Sequence, residues 1–232
     1  MIKIILWDID ATLLDFLKSE NMALKKAFAH FGLGECTDST VAEYSAINQS
    51  YWNRLETGEL TKEQVLVGRF EEFLNVKGFC DVDANEFCEF YELSLPDCVE
   101  FIGNAEETIK ALSNSYYQYA VTNGAKNVQT KKLAVSGIDG IFNGAFISDD
   151  VGYAKPSKEF FSFVLENIPK VSDDEILIVG DSLTSDIKGG NNMGFKTCWF
   201  NPHNLPLSNG YSVDYQIDNI DSIFDVLKQE NS

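Results

Sequence analysis

Two carboxylates one residue apart, Asp8-Ile9-Asp10, follow directly on an apolar run ending at Trp7. In an extended segment side chains alternate from face to face, so both carboxylates can address one ligand. Beside a divalent cation, the first can attack phosphorus in line and form an aspartyl-phosphate. The second can protonate the leaving oxygen and later activate water. Alone, the doublet also suits a solvated turn at a strand end. Three later clusters change its meaning. Val121-Thr122-Asn123-Gly124 joins a hydroxyl, an amide and a glycine whose neighbouring N–H groups can approach a phosphate closely. Its plainer use is a strand-to-helix turn capped by Thr122 or Asn123. Ala154-Lys155-Pro156 sets an ammonium where it could pair with phosphate and carboxylates, although a lone lysine is ordinarily solvated. Val179-Gly180-Asp181-Ser182, with Asp186 five residues after Asp181, offers a metal carboxylate and a group to orient water or Lys155. Helix capping by Asp181 or Ser182 is the plainer use there. Together the clusters supply an oxygen-rich magnesium site, a nucleophile, an acid/base, a phosphate cradle and a neutralising lysine.

Such groups must be held at strand ends, and the hydropathy pattern provides them. Residues 2–7 form a short continuous apolar run, the pattern of a parallel strand buried on both faces. Residues 16–95 turn to helical periodicity with no strand pattern interrupting them. Thr61 with Gln64 predicts a capping box and a helix start. Beyond Pro96 the pattern alternates: helix 105–113, strand 118–121, helix 127–135, strand 145–147, helix 158–165, strand 175–179, helix 185–193, strand 196–200, strand 214–217, helix 220–228. Strands separated by helices imply βαβ units and a doubly wound parallel α/β sheet. The expected organisation is a Rossmann-like core of residues 1–15 and 96–232 with an inserted all-helical cap of residues 16–95. In open α/β sheets ligands bind at the carboxyl ends of the strands, where an insert after the first strand is expected to sit.

The chain has 232 residues, 44% hydrophobic and 23% charged, enough for a packed core with an insert. A formal charge of −18 opposes attraction to nucleic acid and to anionic membrane surfaces. It does not exclude a small anionic substrate, because a bound cation and one lysine can invert the local potential. The five cysteines are widely spaced and lack any C-x-x-C pair, which fits a reducing cytoplasm better than zinc or a disulfide framework. The N-terminal apolar run is broken at once by Asp8 and Asp10, unlike a secretory segment or a membrane span. His30 and His203 stand isolated from any paired ligand spacing.

The ordered set Asp8-x-Asp10-x-Thr12-Leu13, Thr122-Asn123-Gly124, Lys155-Pro156 and Gly180-Asp181-x-x-x-x-Asp186 resembles the haloacid dehalogenase (HAD) superfamily along the whole chain. The helical insert resembles that superfamily's C1 cap. The resemblance implies Asp8 as nucleophile and magnesium ligand, and Asp10 as acid/base lending its backbone carbonyl to the metal. It also implies Asp181 as the third metal ligand, Thr122, Asn123 and Lys155 as the phosphate-holding set, and Asp186 in support behind them. Dehalogenating members lack the second aspartate and use no metal, so phosphomonoester hydrolysis is the outcome implied. Ala11 stands where members commonly carry glycine, a change accommodated readily unless φ is positive there.

Three stretches look more narrowly like bacterial pyrimidine 5′-nucleotidases. They are Ile47-Asn48-Gln49 to Trp52 with Gly58 to Arg69-Phe70; Ile147-Ser148-Asp149-Asp150-Val151-Gly152-x-Ala154-Lys155-Pro156; and Asp186-Ile187-x-Gly189-Gly190 through Thr197-Cys198-Trp199. That resemblance implies a nucleoside monophosphate such as dUMP, dTMP or UMP as the small-molecule phosphate ester. A sugar phosphate phosphatase or phosphoglucomutase would use the same core, and a non-catalytic phosphate-binding protein would have no need of Asp10. Tyr51, Trp52, Arg54 and Arg69 could stack on a base or bind its edge. Helical spacing favours Trp52 as helical-core packing, and Arg54 and Arg69 as surface partners of nearby glutamates. Oligomeric state is not legible in the sequence.

Overall fold

A computed structural model describes residues 1–231. Its first strand, β1 (Ile4–Trp7), is buried at every position, as its unbroken apolar run requires. It lies between two parallel neighbours, pairing Ile4 with Tyr117 of β2 (Tyr117–Thr122) and with Ile176 of β4 (Ile176–Gly180). With β3 (Gly144–Ile147), β5 (Lys196–Phe200) and β6 (Tyr215–Ile217), the six-stranded sheet runs β3-β2-β1-β4-β5-β6, every pairing parallel. The order reverses at β1, the topological switch point at which doubly wound sheets bind ligands.

Alternation sorts the strand side chains into two layers. Ile4 and Leu6 join Tyr119, Val121, Ile176 and Ile178 in a cluster with Phe160, Phe161 and Phe195. Trp7 is turned the other way by the same period of two. Its indole N–H donates to Gln118 Oε1 at 2.9 Å, and Gln118 in turn donates to the Ile109 carbonyl at 2.8 Å, so the buried amide is satisfied.

The chain separates into two compact units, residues 1–15 with the chain from Glu100 onward, and Phe16–Val99. The crossing falls after a short 3₁₀ turn, Leu95–Asp97, which belongs to the helical unit. That unit contains α1 (Phe16–Phe31), α2 (Asp38–Glu56), α3 (Lys62–Lys77) and α4 (Ala84–Ser94). Thr61 caps α3 and Gln64 reaches back to the cap N–H, the reciprocal pair predicted from the sequence. Its interior is aromatic: Tyr44 stacks on Phe70 at 5.1 Å between centroids, and Tyr91 packs edge-on against both.

The sheet unit is completed by α5 (Ala105–Leu112), α6 (Lys126–Ser136), α7 (Ser148–Val151), α8 (Lys158–Glu166), α9 (Lys188–Met193) and α10 (Ile223–Glu230). One difference from the sequence reading bears on the site. Residues 185–187, expected to open an α-helix, belong to a five-residue π-helical turn, Leu183–Ile187. The Asp186 and Ile187 N–H groups both converge on the Ser182 carbonyl, at 3.0 and 3.2 Å, while the Asp186 side chain turns inward. Such wider turns recur where a helix must re-aim a side chain. Among the described residues no helix is long and apolar enough to cross a membrane.

Candidate functional site

Four strand ends deliver the predicted groups to one place. Asp8 follows β1, its N–H bonded to the Val179 carbonyl of β4 at 2.9 Å, which fixes the backbone just where pairing stops. Thr122 ends β2, Lys155 lies in the connection after β3 and α7, and Asp181 follows β4.

Lys155 is the hub. Its ammonium donates to Asp8 Oδ1 at 2.7 Å, to Asp186 Oδ1 at 2.7 Å and to the Val121 carbonyl at 2.8 Å. Those bonds use its three protons. Only 2% of Lys155 and none of Asp186 is exposed, so these charges persist in the interior because they face one another. Burial alone would lower the lysine pKa, but Asp186 and Asp8 more than offset it and hold the ammonium above its ordinary range. Burial pushes the Asp8 carboxyl up to about 7, aided by Asp186 and opposed by Lys155.

The remaining contacts fix the hub's surroundings. The Thr12 hydroxyl donates to Asp8 Oδ2 at 3.0 Å and accepts from the Asp181 N–H at 3.1 Å, joining the first and fourth clusters. Trp199 Nε1 donates to the Asp181 carbonyl at 2.8 Å. Asp186 Oδ2 accepts from the Ser182 N–H at 3.2 Å, and its carboxylate fills the space above Gly180, where a Cβ would lie 2.1 Å from Oδ2.

Asp8, Asp181 and Asp186 each present a carboxylate oxygen, all within 4.8 Å of one another. An all-oxygen, mainly carboxylate donor set suits a hard divalent ion such as magnesium. An Asp8 carboxyl raised by burial is also one that added positive charge would return to its ionised form. The residues present therefore fit such an ion. Asp186 joins the cluster although the sequence reading placed it only in support of the ligands.

Asn123 has a bracing role that its expected use did not include. Its side-chain amide donates to the Lys155 carbonyl at 2.9 Å and accepts the Lys155 N–H at 2.8 Å. Both ends of the amide thus contact the lysine backbone and brace Lys155, which leaves the second amide N–H outside that pair. Thr122 is buried, and its Oγ1 accepts from the Gly124 N–H at 3.1 Å, which shapes the turn.

Asp10 has partners that sequence reading did not identify. Lys132 Nζ donates to its Oδ1 at 2.7 Å and Gln129 Nε2 to its Oδ2 at 2.6 Å, both from α6. The available signal was two long polar side chains three residues apart on a helix following the Thr122 turn. Ala11, beside Asp10, has φ of 63°, the left-handed region in which alanine is strained. The condition under which its replacement of glycine would be free of cost is not met.

In the helical unit, Arg69 is 1% exposed instead of lying at the surface. It donates to Asn48 Oδ1 at 2.7 Å, to the Leu66 carbonyl at 3.2 Å and to Glu92. Packing of α3 against α2 and α4 draws it inward. Asn48 also accepts from Trp52 Nε1 at 3.0 Å and donates to the buried Glu20 at 2.8 Å. Arg54 pairs on the surface at 2.8 Å with a nearby glutamate, as expected, but the partner is Glu59, beyond the end of α2.

Comparison with known proteins agrees with this arrangement. Residues 5–200 match the family described as haloacid dehalogenase-like hydrolase. YfnB of Bacillus subtilis (strain 168), named for the same hydrolase family, is 36% identical over 228 residues, 98% of this chain and 96% of its own. A magnesium-bound crystal structure of YfnB matches with a TM-score of 0.92 at 35% identity, covering 97% of this chain and 98% of that one. The pyrimidine 5′-nucleotidase PynA of Streptococcus pneumoniae (strain ATCC BAA-255 / R6) is 31% identical over 226 residues, 97% of this chain and 94% of its own.

Proposed function

We propose that this chain, which belongs to the haloacid dehalogenase-like hydrolase family, is a magnesium-dependent phosphomonoesterase that dephosphorylates pyrimidine nucleoside monophosphates through a phosphorylated Asp8. The observation that carries the reading is the convergence of Asp8, Asp181 and Asp186 on one oxygen cluster with Lys155 bonded into it. The nucleotide part is supported by the likeness to PynA along nearly the whole chain.

In this reading Asp8 and Asp181 would hold the ion together with the backbone carbonyl of Asp10, with Asp186 in support through its bond to Lys155. A bound magnesium ion supplies positive charge that favours ionised Asp8 and offsets the charge of the phosphoryl group. The remaining chemistry belongs to the side chains. An Asp8 carboxylate oxygen bonds to phosphorus as the bond from phosphorus to the nucleoside 5′-oxygen breaks. The proton of the Asp10 carboxyl passes to that oxygen, so the nucleoside leaves as a neutral alcohol. Asp10, now ionised, takes a proton from water as the water oxygen bonds to phosphorus. The bond from Asp8 to phosphorus then breaks, inorganic phosphate departs and both aspartates return to their starting states. The Lys155 ammonium, giving up its bond to Asp8 as that carboxylate is phosphorylated, and the Thr122 hydroxyl receive the phosphoryl oxygens, while Asn123 keeps the lysine in register.

The test is phosphate release by purified protein from dUMP, dTMP and UMP beside a panel of sugar phosphates, with magnesium and after chelation. The expected result is faster turnover of the nucleotides and loss of activity on chelation, restored by added magnesium. Preference for sugar phosphates would strip away the nucleotide part, and full activity after exhaustive chelation would overturn the metal.

A further inference from the structure

The two α6 side chains that meet Asp10 are unusual in kind. Lys132 and Gln129 are each 1% exposed, although long polar side chains ordinarily reach for water. They stand one helical turn apart on one face of α6 and reach different oxygens of one carboxylate, at 2.7 and 2.6 Å. The Asp10 side chain itself remains 24% exposed, so it could have been solvated without them.

Gln129 makes its bond at a cost to itself. Its Oε1 is buried and has no hydrogen-bond partner. The reverse amide orientation would set that oxygen against Asp10 Oδ2, so the donating orientation is the one that serves the carboxylate. The chain also makes room for it. A Cβ on Gly124 would lie 2.2 Å from Gln129 Nε2, so the amide passes through the space that the glycine leaves open. A buried amide with one end unsatisfied, threaded past a glycine, weakens the interior compared with an apolar side chain of the same shape.

We infer that Gln129 and Lys132 are positioning residues for the acid/base, a two-point clamp that fixes the Asp10 carboxylate from α6. The inference rests on the reading of Asp10 as acid/base. A carboxyl that must give up a proton at one oxygen and recover it at the same place gains from being held at both ends, because transfer depends on alignment within hydrogen-bond reach.

The experiment compares Lys132→Met, Gln129→Met, Gly124→Ala and Asp10→Asn on an alkyl phosphate monoester and on p-nitrophenyl phosphate, with thermal melting of each variant. Because kcat/KM covers steps up to departure of the alcohol, it reports the proton delivered to the leaving oxygen. We expect Lys132→Met and Gln129→Met to lower kcat/KM on the alkyl ester by about 10- to 100-fold. On p-nitrophenyl phosphate, whose leaving group needs little protonation, the loss should stay below about threefold. Gly124→Ala should mimic Gln129→Met, since its methyl group takes the amide's place, and Gln129→Met should melt no lower than the parent. In the Asp10→Asn background the Lys132 and Gln129 changes should add nothing. Equal losses on both esters, or losses that track a lowered melting temperature, would overturn the clamp in favour of plain packing. Normal turnover by the Lys132 and Gln129 variants beside a crippled Asp10→Asn would remove the clamp alone. Full turnover by Asp10→Asn on the alkyl ester would remove the acid/base reading and the clamp with it.

Discussion

The molecule buries charge in two regions, and the two differ in how closely the carboxylates are gathered. In the helical unit, Arg69 is enclosed by Asn48, Glu92 and the Leu66 carbonyl, while Glu20 accepts from Asn48 and Ser45. These groups answer one another and join α1 to α4. In the sheet unit, Lys155 answers Asp8 and Asp186, yet Asp8, Asp181 and Asp186 still crowd their oxygens into one small space. Carboxylates gathered in excess of the cation that holds them leave a demand for more positive charge. Burial alone therefore does not mark a functional site. The mark is carboxylate oxygens drawn together into one space beyond what the buried cation neutralises.

Substitutions can break or sharpen that contrast. The largest effect is expected from Asp8→Asn, which should cut kcat by about ten-thousand-fold or more while the fold survives, because Lys155 keeps Asp186 and the Val121 carbonyl. Steady-state kinetics with melting of the same sample would check it; unimpaired hydrolysis would end the proposed chemistry. Arg69→Met should show the converse, a loss of about 3 kcal/mol in denaturant unfolding from stranded buried partners, with kcat retained by the molecules that stay folded. A stability unchanged by that replacement would contradict the role given to the helical cluster.

Backbone strain gives a smaller test. The helical unit places glycine at its left-handed positions, Gly32, Gly34, Gly58 and Gly78, whereas the sheet unit, beside glycines such as Gly103 and Gly137, sets Asn204 and Ala11 there, the latter between Asp10 and Thr12. Ala11→Gly should raise stability by about 1 kcal/mol, read as a shift in the denaturant midpoint. The smallest expected effect concerns Glu20, whose pKa is raised by burial despite hydrogen bonds from Ser45 and Asn48. A folded carboxyl above its unfolded value binds protons more tightly when folded. Its contribution is complete below the ordinary glutamate range and is lost as pH rises through the folded value. The stability of the parent relative to Glu20→Gln should therefore decline from that range toward neutral pH; a difference that grew with pH would reverse the sign.

What the sequence revealed and what it concealed divide along physical lines. Strand ends, the Thr61 cap and the alternation of helix with strand are local or periodic, and residues 4–7 and 196–200 announce themselves by composition. The Asp8, Lys155 and Asp181 clusters were legible because topology obliges consecutive parallel strands to end on one side. Concealed were contacts that depend on where a side chain turns after its backbone is placed. Asn123 braces the Lys155 backbone, and Gln129 and Lys132 reach Asp10 across more than a hundred residues of chain. Spacing within one element carries no trace of such meetings. The Ala11 conformation was equally hidden, since alanine gives no sign of positive φ.

The central place of β1 also has a consequence for biosynthesis. It emerges from the ribosome before the other strands of its sheet, and its two neighbours begin only at Tyr117 and Ile176. At ordinary elongation rates, on the order of ten seconds pass before either side of Ile4–Trp7 can be covered. The helices of residues 16–99, a compact unit of their own, have been translated by then. Until β4 is made, that apolar segment lacks one of its two sheet neighbours.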